Sequence, residues 1–209
     1  MDTFDVIATE RVRLADELDQ LQAPEWDAPS LCAGWTNHVV VAHLNVPWSV
    51  GRATLLAGLL KARGNIAKTI DRASLDLAAE LDPAACVARY REHATDRVTP
   101  PTLGAEAPLT DCVLHGADIL QPLGRSVDVS PEALRTILAF LVSPAAKRAF
   151  RSVGIEGLAF QATDLDETFG TGAQLVRGPA LALAAAMLGR RPFFEGLEGD
   201  GVTVLADRL

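Results

Sequence analysis

The sequence predicts a mainly α protein: a helical bundle over residues 1–152 followed by a small α/β module over residues 153–209. Three observations carry this expectation. Ala and Leu dominate a chain that is 49% hydrophobic and only 5% aromatic, and such side chains lose little freedom in a helix. Up to about Ser152, apolar residues recur at helical spacing between loops marked by proline and glycine. Beyond that point the texture changes to short alternating stretches separated by glycines.

The elements follow in order. From Phe4 to Leu21 the apolar positions Val6, Ile7, Leu14, Leu18 and Leu21 share a helical face, with charged residues between them. After the loop "QAPEWDAPSLCAGW", Thr36 is a good N-cap for a second helix running toward Lys61, and Pro47, which lacks a backbone donor, should kink or divide it. Two more helices are expected, over Asn65 to Leu81 and over Pro83 to Val98, with Pro83 suited to a first turn. The proline-rich "TPPTLGAEAP" leads into a helix from Leu109 to Gln121, and Ser130-Pro131-Glu132 opens another that extends through Leu141. In the C-terminal module, "IEGLAFQATD" reads as a strand and "ETFGTGAQLVRG" as a turn plus a second strand, with Gly170 and Gly172 as turn glycines. "PALALAAAMLG" is a short apolar helix with Gly189 as its cap, and "DGVTVLADRL" adds a strand or a terminal helix.

Composition excludes several function classes. A net charge of −8 and no basic stripe argue against nucleic acid as a partner. No apolar run approaches the roughly 20 residues that span a bilayer, and the acidic N-terminus has no secretory pattern, so a cytoplasmic protein is expected. Three scattered cysteines, Cys32, Cys86 and Cys112, suit reduced thiols better than a disulfide framework. G-x-S-x-G, Walker A and C-x-x-C motifs are absent, and "GTGAQLVRG" lacks the spacing of a dinucleotide fingerprint.

The chemistry concentrates in "PLTDCVLHGADILQPLG". Asp111 and His115 stand four residues apart, hence on one helical face, close enough to grip one ion or simply to support the helix. Cys112, next to Asp111, points about 100° away and reads as a buried small hydrophobe rather than a nucleophile or ligand. His43, in "VVVAHLNVPW", falls on an apolar face, where a buried imidazole needs a partner, of which a metal is one. His38, about 140° away on the same helix, does not share that direction, and His93, among Arg91, Glu92 and Asp96, reads as a solvated face.

Taken together, "LCAGWTNHVVVAHL", "LTDCVLHGADILQPLG" and "ATDLDETFGTGAQLVRGPALALAAAMLGR" resemble the actinobacterial maleylpyruvate isomerase family of mycothiol-dependent enzymes, within the DinB-like metalloprotein superfamily. The resemblance runs through nearly the whole chain in order. It implies a DinB-like up-down four-helix bundle with a small C-terminal α/β domain, and a divalent metal, zinc first among candidates, held by His43, Asp111 and His115. It also implies mycothiol as thiol cosubstrate. The family's enzymes of known activity carry glutamate at the position of Asp111.

An arginine of the C-terminal domain is implicated in the family's activity, and Arg190 of "MLGRR" is its match, with Arg191 as fallback; equally, Arg190 could be a cation placed by the dipole of the apolar helix before it. Asp118, one turn after His115, could accept the ring's second N–H or be a surface acid. The activity implied is that of a metal-dependent isomerase or thiol transferase acting on a small electrophile through an activated thiol, in a monomer or homodimer. A metal-dependent hydrolase and a non-catalytic metal or small-ligand binder are the alternatives. A requirement for added thiol separates the first from the second, and absence of metal points to the third.

Overall fold

Two units make up the fold of the computed structural model, which describes residues 2–149 and 154–208. One comprises Asp2–Val98 with Asp111–Val127, the other Thr99–Thr110 with Asp128–Leu209. The mainly α architecture with a small sheet is the fold class read from the sequence.

The first unit is a helical bundle. Helix α1 (Thr3–Leu18) opens on Asp2, which caps it together with Asp5, and buries Val6, Ile7, Leu14, Ala15 and Leu18. A short α2 (Ala23–Asp27) precedes α3 (Asn37–Ser49), whose N-cap is Thr36 as expected, its hydroxyl accepting from the Val39 N–H at 3.4 Å. The long second helix expected toward Lys61 is divided: α3 continues through Pro47, ends at Ser49, and α4 (Arg52–Lys61) restarts after Gly51. Pro47 has no N–H to return to the His43 carbonyl, which weakens the ladder just before the break.

Helix α5 (Ile66–Glu80), capped by Asn65, packs against α3, and α6 (Pro83–Glu92) packs against α3 and α1. Helix α7 (Glu106–Leu120) contributes its stretch from Asp111 onward to this unit. Leu14 and Leu18 of α1, Val40 and Leu44 of α3, Leu77 of α5, Val87 and Tyr90 of α6, and Cys112 and Ile119 of α7 share one core. The contact between α1 and α7 is tight enough that a Cβ on Gly116 would meet Leu14 Cδ1 at 3.1 Å.

One buried cation ties α1 to the end of α6. Arg11 is only 4% exposed, and its Nη1 donates to the carbonyls of His93, Ala94 and Asp96 at 3.3, 3.2 and 3.0 Å. These oxygens lie in the turn that follows α6, beside its negative C-terminal end. The guanidinium also sits over Trp48, 4.8 Å from the ring centroid. His93 stacks on the same indole, centroids 5.2 Å apart and planes within 5°. The solvated face expected for His93 is therefore corrected: the ring is partly buried because Trp48 gives its apolar face a flat partner.

In the second unit, α8 (Pro131–Leu141), capped by Ser130, leads through α9 (Ala146–Ala149) to a three-stranded sheet ordered β2-β1-β3. Strand β1 (Leu158–Ala162) pairs antiparallel with β2 (Glu167–Phe169) and parallel with β3 (Gln174–Gly178). Gly170, at φ +80, and Gly172 lie in the connection between β2 and β3, as expected for turn glycines, while "ETF" just before them adds a strand that the sequence reading did not separate from the turn. A further reversal, between β1 and β2, lies at Thr163–Asp166, where Asp166 takes φ +54, a left-handed conformation that aspartate tolerates. Helix α10 (Ala180–Met187) packs on α8 and the sheet, with Leu188 as cap and Gly189, at φ +84, one residue beyond it. The terminal segment forms a helix, α11 (Gly201–Ala206). Among the described residues, no helix is long and apolar enough to cross a membrane.

Candidate metal centre

Three ligand-type side chains of the first unit converge. His43 lies in the middle of α3, and Asp111 and His115 lie one turn apart on α7. A ligand atom from each falls within 4.8 Å of the other two. Asp111 Oδ1 is 3.4 Å from His115 Nε2 and 3.7 Å from His43 Nε2. The shorter aspartate therefore still reaches both rings. The imidazoles meet edge to face, centroids 4.9 Å apart.

The opposite nitrogen of each ring is occupied. His43 Nδ1 lies 3.2 Å from Ser74 Oγ, and that hydroxyl donates its proton to the Ile70 carbonyl at 2.8 Å. Ser74 is left with lone pairs, so His43 Nδ1 must carry the hydrogen. His115 Nδ1 donates to Asp118 Oδ2 at 3.0 Å. Asp118 is fully buried, so the alternative of a surface acid is set aside. With both Nδ1 atoms committed as donors, both neutral rings present Nε2 lone pairs to a carboxylate oxygen. Three acceptors facing one another repel unless a cation stands among them, a proton or a metal.

Electrostatics shows the proton's solution. Burial alone would raise the Asp111 pKa, but the charge of His115 and hydrogen bonds from both rings outweigh it and hold the carboxyl well below the usual carboxylate range. Burial likewise works against charge on His115, yet Asp111 overrides it, assisted by Asp118 and Cys32, and the imidazole stands well above its usual value. Asp111 keeps 36% of its side-chain surface open, so the group is not sealed from solvent.

Sequence reasoning missed three neighbours. Ser74 arrives from α5, and nothing in its local sequence marks it. Trp35 lies against His43, centroids 5.1 Å apart, while its Nε1 donates to Asp71 Oδ1 at 2.8 Å. Cys32 Sγ is 3.2 Å from Asp118 Oδ2. Both Trp35 and Cys32 stand in the "LCAGW" stretch, where the available signal was the motif itself.

The remaining expectations fall elsewhere. His38 Nε2 lies 2.9 Å from the Leu81 carbonyl, away from the cluster as its helical phase predicts. Cys112 is buried, and burial pushes its thiol up to about 12, which suits a core residue and not a nucleophile. Arg190 belongs to the second unit, where it donates to the Leu188 carbonyl at 3.2 Å at the C-terminal end of α10, the position favoured by the helix dipole.

These features define a class: a helical-bundle protein with a two-histidine, one-carboxylate candidate metal centre. Residues 7–101, which include His43 and end before Asp111, match the family model described as the mycothiol maleylpyruvate isomerase N-terminal domain. A crystal structure of the mycothiol-dependent maleylpyruvate isomerase is similar with a TM-score of 0.62 at 16% identity, covering 95% of this chain and 92% of that one. A histidine-to-alanine mutant of that enzyme is similar with a TM-score of 0.59 at 17% identity, over the same shares. At these identities the likeness is one of fold. No curated protein matches the sequence. The resemblance read from the sequence is borne out.

Proposed function

We propose that the protein is a metal-dependent, mycothiol-dependent isomerase or thiol transferase of small electrophilic substrates, with His43, Asp111 and His115 as metal ligands. The observation that carries this reading is the convergence of two imidazole Nε2 atoms on one carboxylate oxygen while Ser74 and Asp118 occupy both Nδ1 atoms. The donor set suits a divalent cation such as zinc and leaves coordination positions open. When bound, such a metal supplies Lewis acidity that lowers the pKa of a thiol or water.

The chain's own residues have separate tasks. Ser74 and Asp118 hold each ring in the tautomer that offers Nε2, and Asp111 contributes the negative charge. Trp35 covers one face of His43 and limits water there. Family likeness supplies the thiol, mycothiol, and a small-molecule substrate. Arg190 is assigned by resemblance to a substrate carboxylate. A cytoplasmic setting agrees with three free cysteines.

The test is turnover of maleylpyruvate and of simple conjugated electrophiles with and without mycothiol and zinc. Activity is expected only with both, and is expected to disappear in His43→Ala and His115→Ala. Turnover unchanged in those variants overturns the metal role, and turnover without thiol selects a hydrolase.

A further inference from the structure

Asp118 is 0% exposed, and a carboxylate removed from water is costly unless donors surround it. Its Oδ2 accepts from His115 Nδ1 at 3.0 Å and from Cys32 Sγ at 3.2 Å. The loop that delivers Cys32 is built for the purpose. Pro29 and Thr36 bridge its ends, Ser30 Oγ donates to the Trp35 carbonyl at 2.9 Å, and the Trp35 N–H donates to the Cys32 carbonyl at 3.0 Å. From the same loop the Leu31 N–H donates to the Asp118 backbone carbonyl at 3.0 Å. Both the side chain and the main chain of Asp118 are thus held by one short segment.

Cys32 Sγ also lies 3.5 Å from His115 Nδ1, which resembles a cysteine–histidine nucleophile. The resemblance fails on the ring's nitrogens. Nδ1 already gives its hydrogen to Asp118, and Nε2 faces Asp111 on the far edge, so no imidazole lone pair is directed at the sulfur. What the contact with Asp118 does require is a proton between sulfur and oxygen, and the thiol supplies it.

We infer that Cys32 is a positioning residue: its S–H donates to Asp118, holds that carboxylate against His115 Nδ1–H, and so keeps His115 Nε2 aimed at Asp111 and His43. This inference rests on the proposed metal reading and extends it to a residue that acts on the proposed ligand His115 through Asp118.

The experiment compares zinc affinity, by competition with a chromophoric chelator, in the wild-type chain, Cys32→Ala and Cys32→Ser. Alanine is expected to weaken zinc binding about tenfold or more, the usual scale for loss of a group behind a ligand, and serine, which keeps a donor, to recover most of it. Should the alanine variant not fold, Cys32→Val takes its place as a donor-free side chain of similar volume.

Wild-type affinity in the alanine or valine variant, or a serine variant as weak as alanine, overturns the inference. A readout without metal separates it from the parent proposal: NMR of the His115 ring in chelator-treated protein. A slowly exchanging Nδ1 proton in wild type and in the serine variant that exchanges faster in the alanine variant supports the role of Cys32, even if zinc does not bind. An Nδ1 proton unaffected by alanine contradicts it.

Discussion

Two of the histidine–tryptophan clusters in the first unit, at Trp48 and at Trp35, are built on opposite electrostatic plans. At Trp48, the stacked His93 is accompanied by Arg11, whose charge meets three backbone carbonyls. At Trp35, His43 and His115 are accompanied by Asp111, and its ion-pair partners among the described residues are those two imidazoles. One cluster carries its cation as part of the chain. The other gathers acceptors around a point where a cation, a proton or a metal, is needed, and the proposed metal reading rests on that arrangement. The same residue types thus serve stability in one place and, under the proposed reading, binding in the other, and the difference lies in whether the positive charge is covalently supplied.

Breaking the structural cluster should have the largest effect. Arg11→Met leaves three carbonyls without their donor and is expected to cost about 3 kcal/mol of stability, read from urea unfolding. Zinc affinity of the folded fraction should stay unchanged. A loss of zinc binding as large as the loss of stability would mean that the two clusters are not independent.

The second prediction uses pH, since Asp111 and His115 are the shifted titratable groups of the Trp35 cluster. Zinc must displace the proton that His115, raised above its usual value by Asp111, holds, so affinity should rise by up to about tenfold per pH unit on the acid side of that raised value. Stability of the metal-free protein runs the other way. His115, raised on folding, contributes fully below its unfolded value of about 6.5 and loses that contribution as pH climbs through the folded one. Asp111, lowered on folding, contributes fully above about pH 4 and loses it as pH falls. Denaturation of chelator-treated protein should therefore show the pair's full contribution between about pH 4 and 6.5. Zinc affinity that falls with rising pH would contradict the assignment.

A smaller effect is expected at Ser74. Ser74→Ala removes the acceptor that fixes the His43 tautomer, and zinc affinity should drop about tenfold with helix content preserved by circular dichroism. An unchanged affinity would show that α3 alone orients the ring.

Much of this organisation is legible in the chain. Asp111 and His115 announce themselves by their spacing on an apolar helix, His43 by its place among valines, and Asp118 by falling one turn after His115. Helix starts at Thr36, Ser130 and Pro83 follow from capping chemistry that acts within a few residues. What stays hidden depends on partners distant in sequence. Ser74 meets His43 because α5 packs on α3, and no periodicity encodes that pairing. His93 looks solvated from its charged neighbours until Trp48 is brought beneath it. Strand β2 is three residues long, too short for alternation to show, and is held by its pairing with β1.

The most direct test of the account is elemental analysis of the protein purified without chelators, repeated on Asp111→Ala. One divalent metal ion per chain, lost in the variant while the helical fold persists, is the predicted result. Metal-free wild-type protein that also fails to take up added zinc, or metal retained in full after Asp111→Ala, would contradict it.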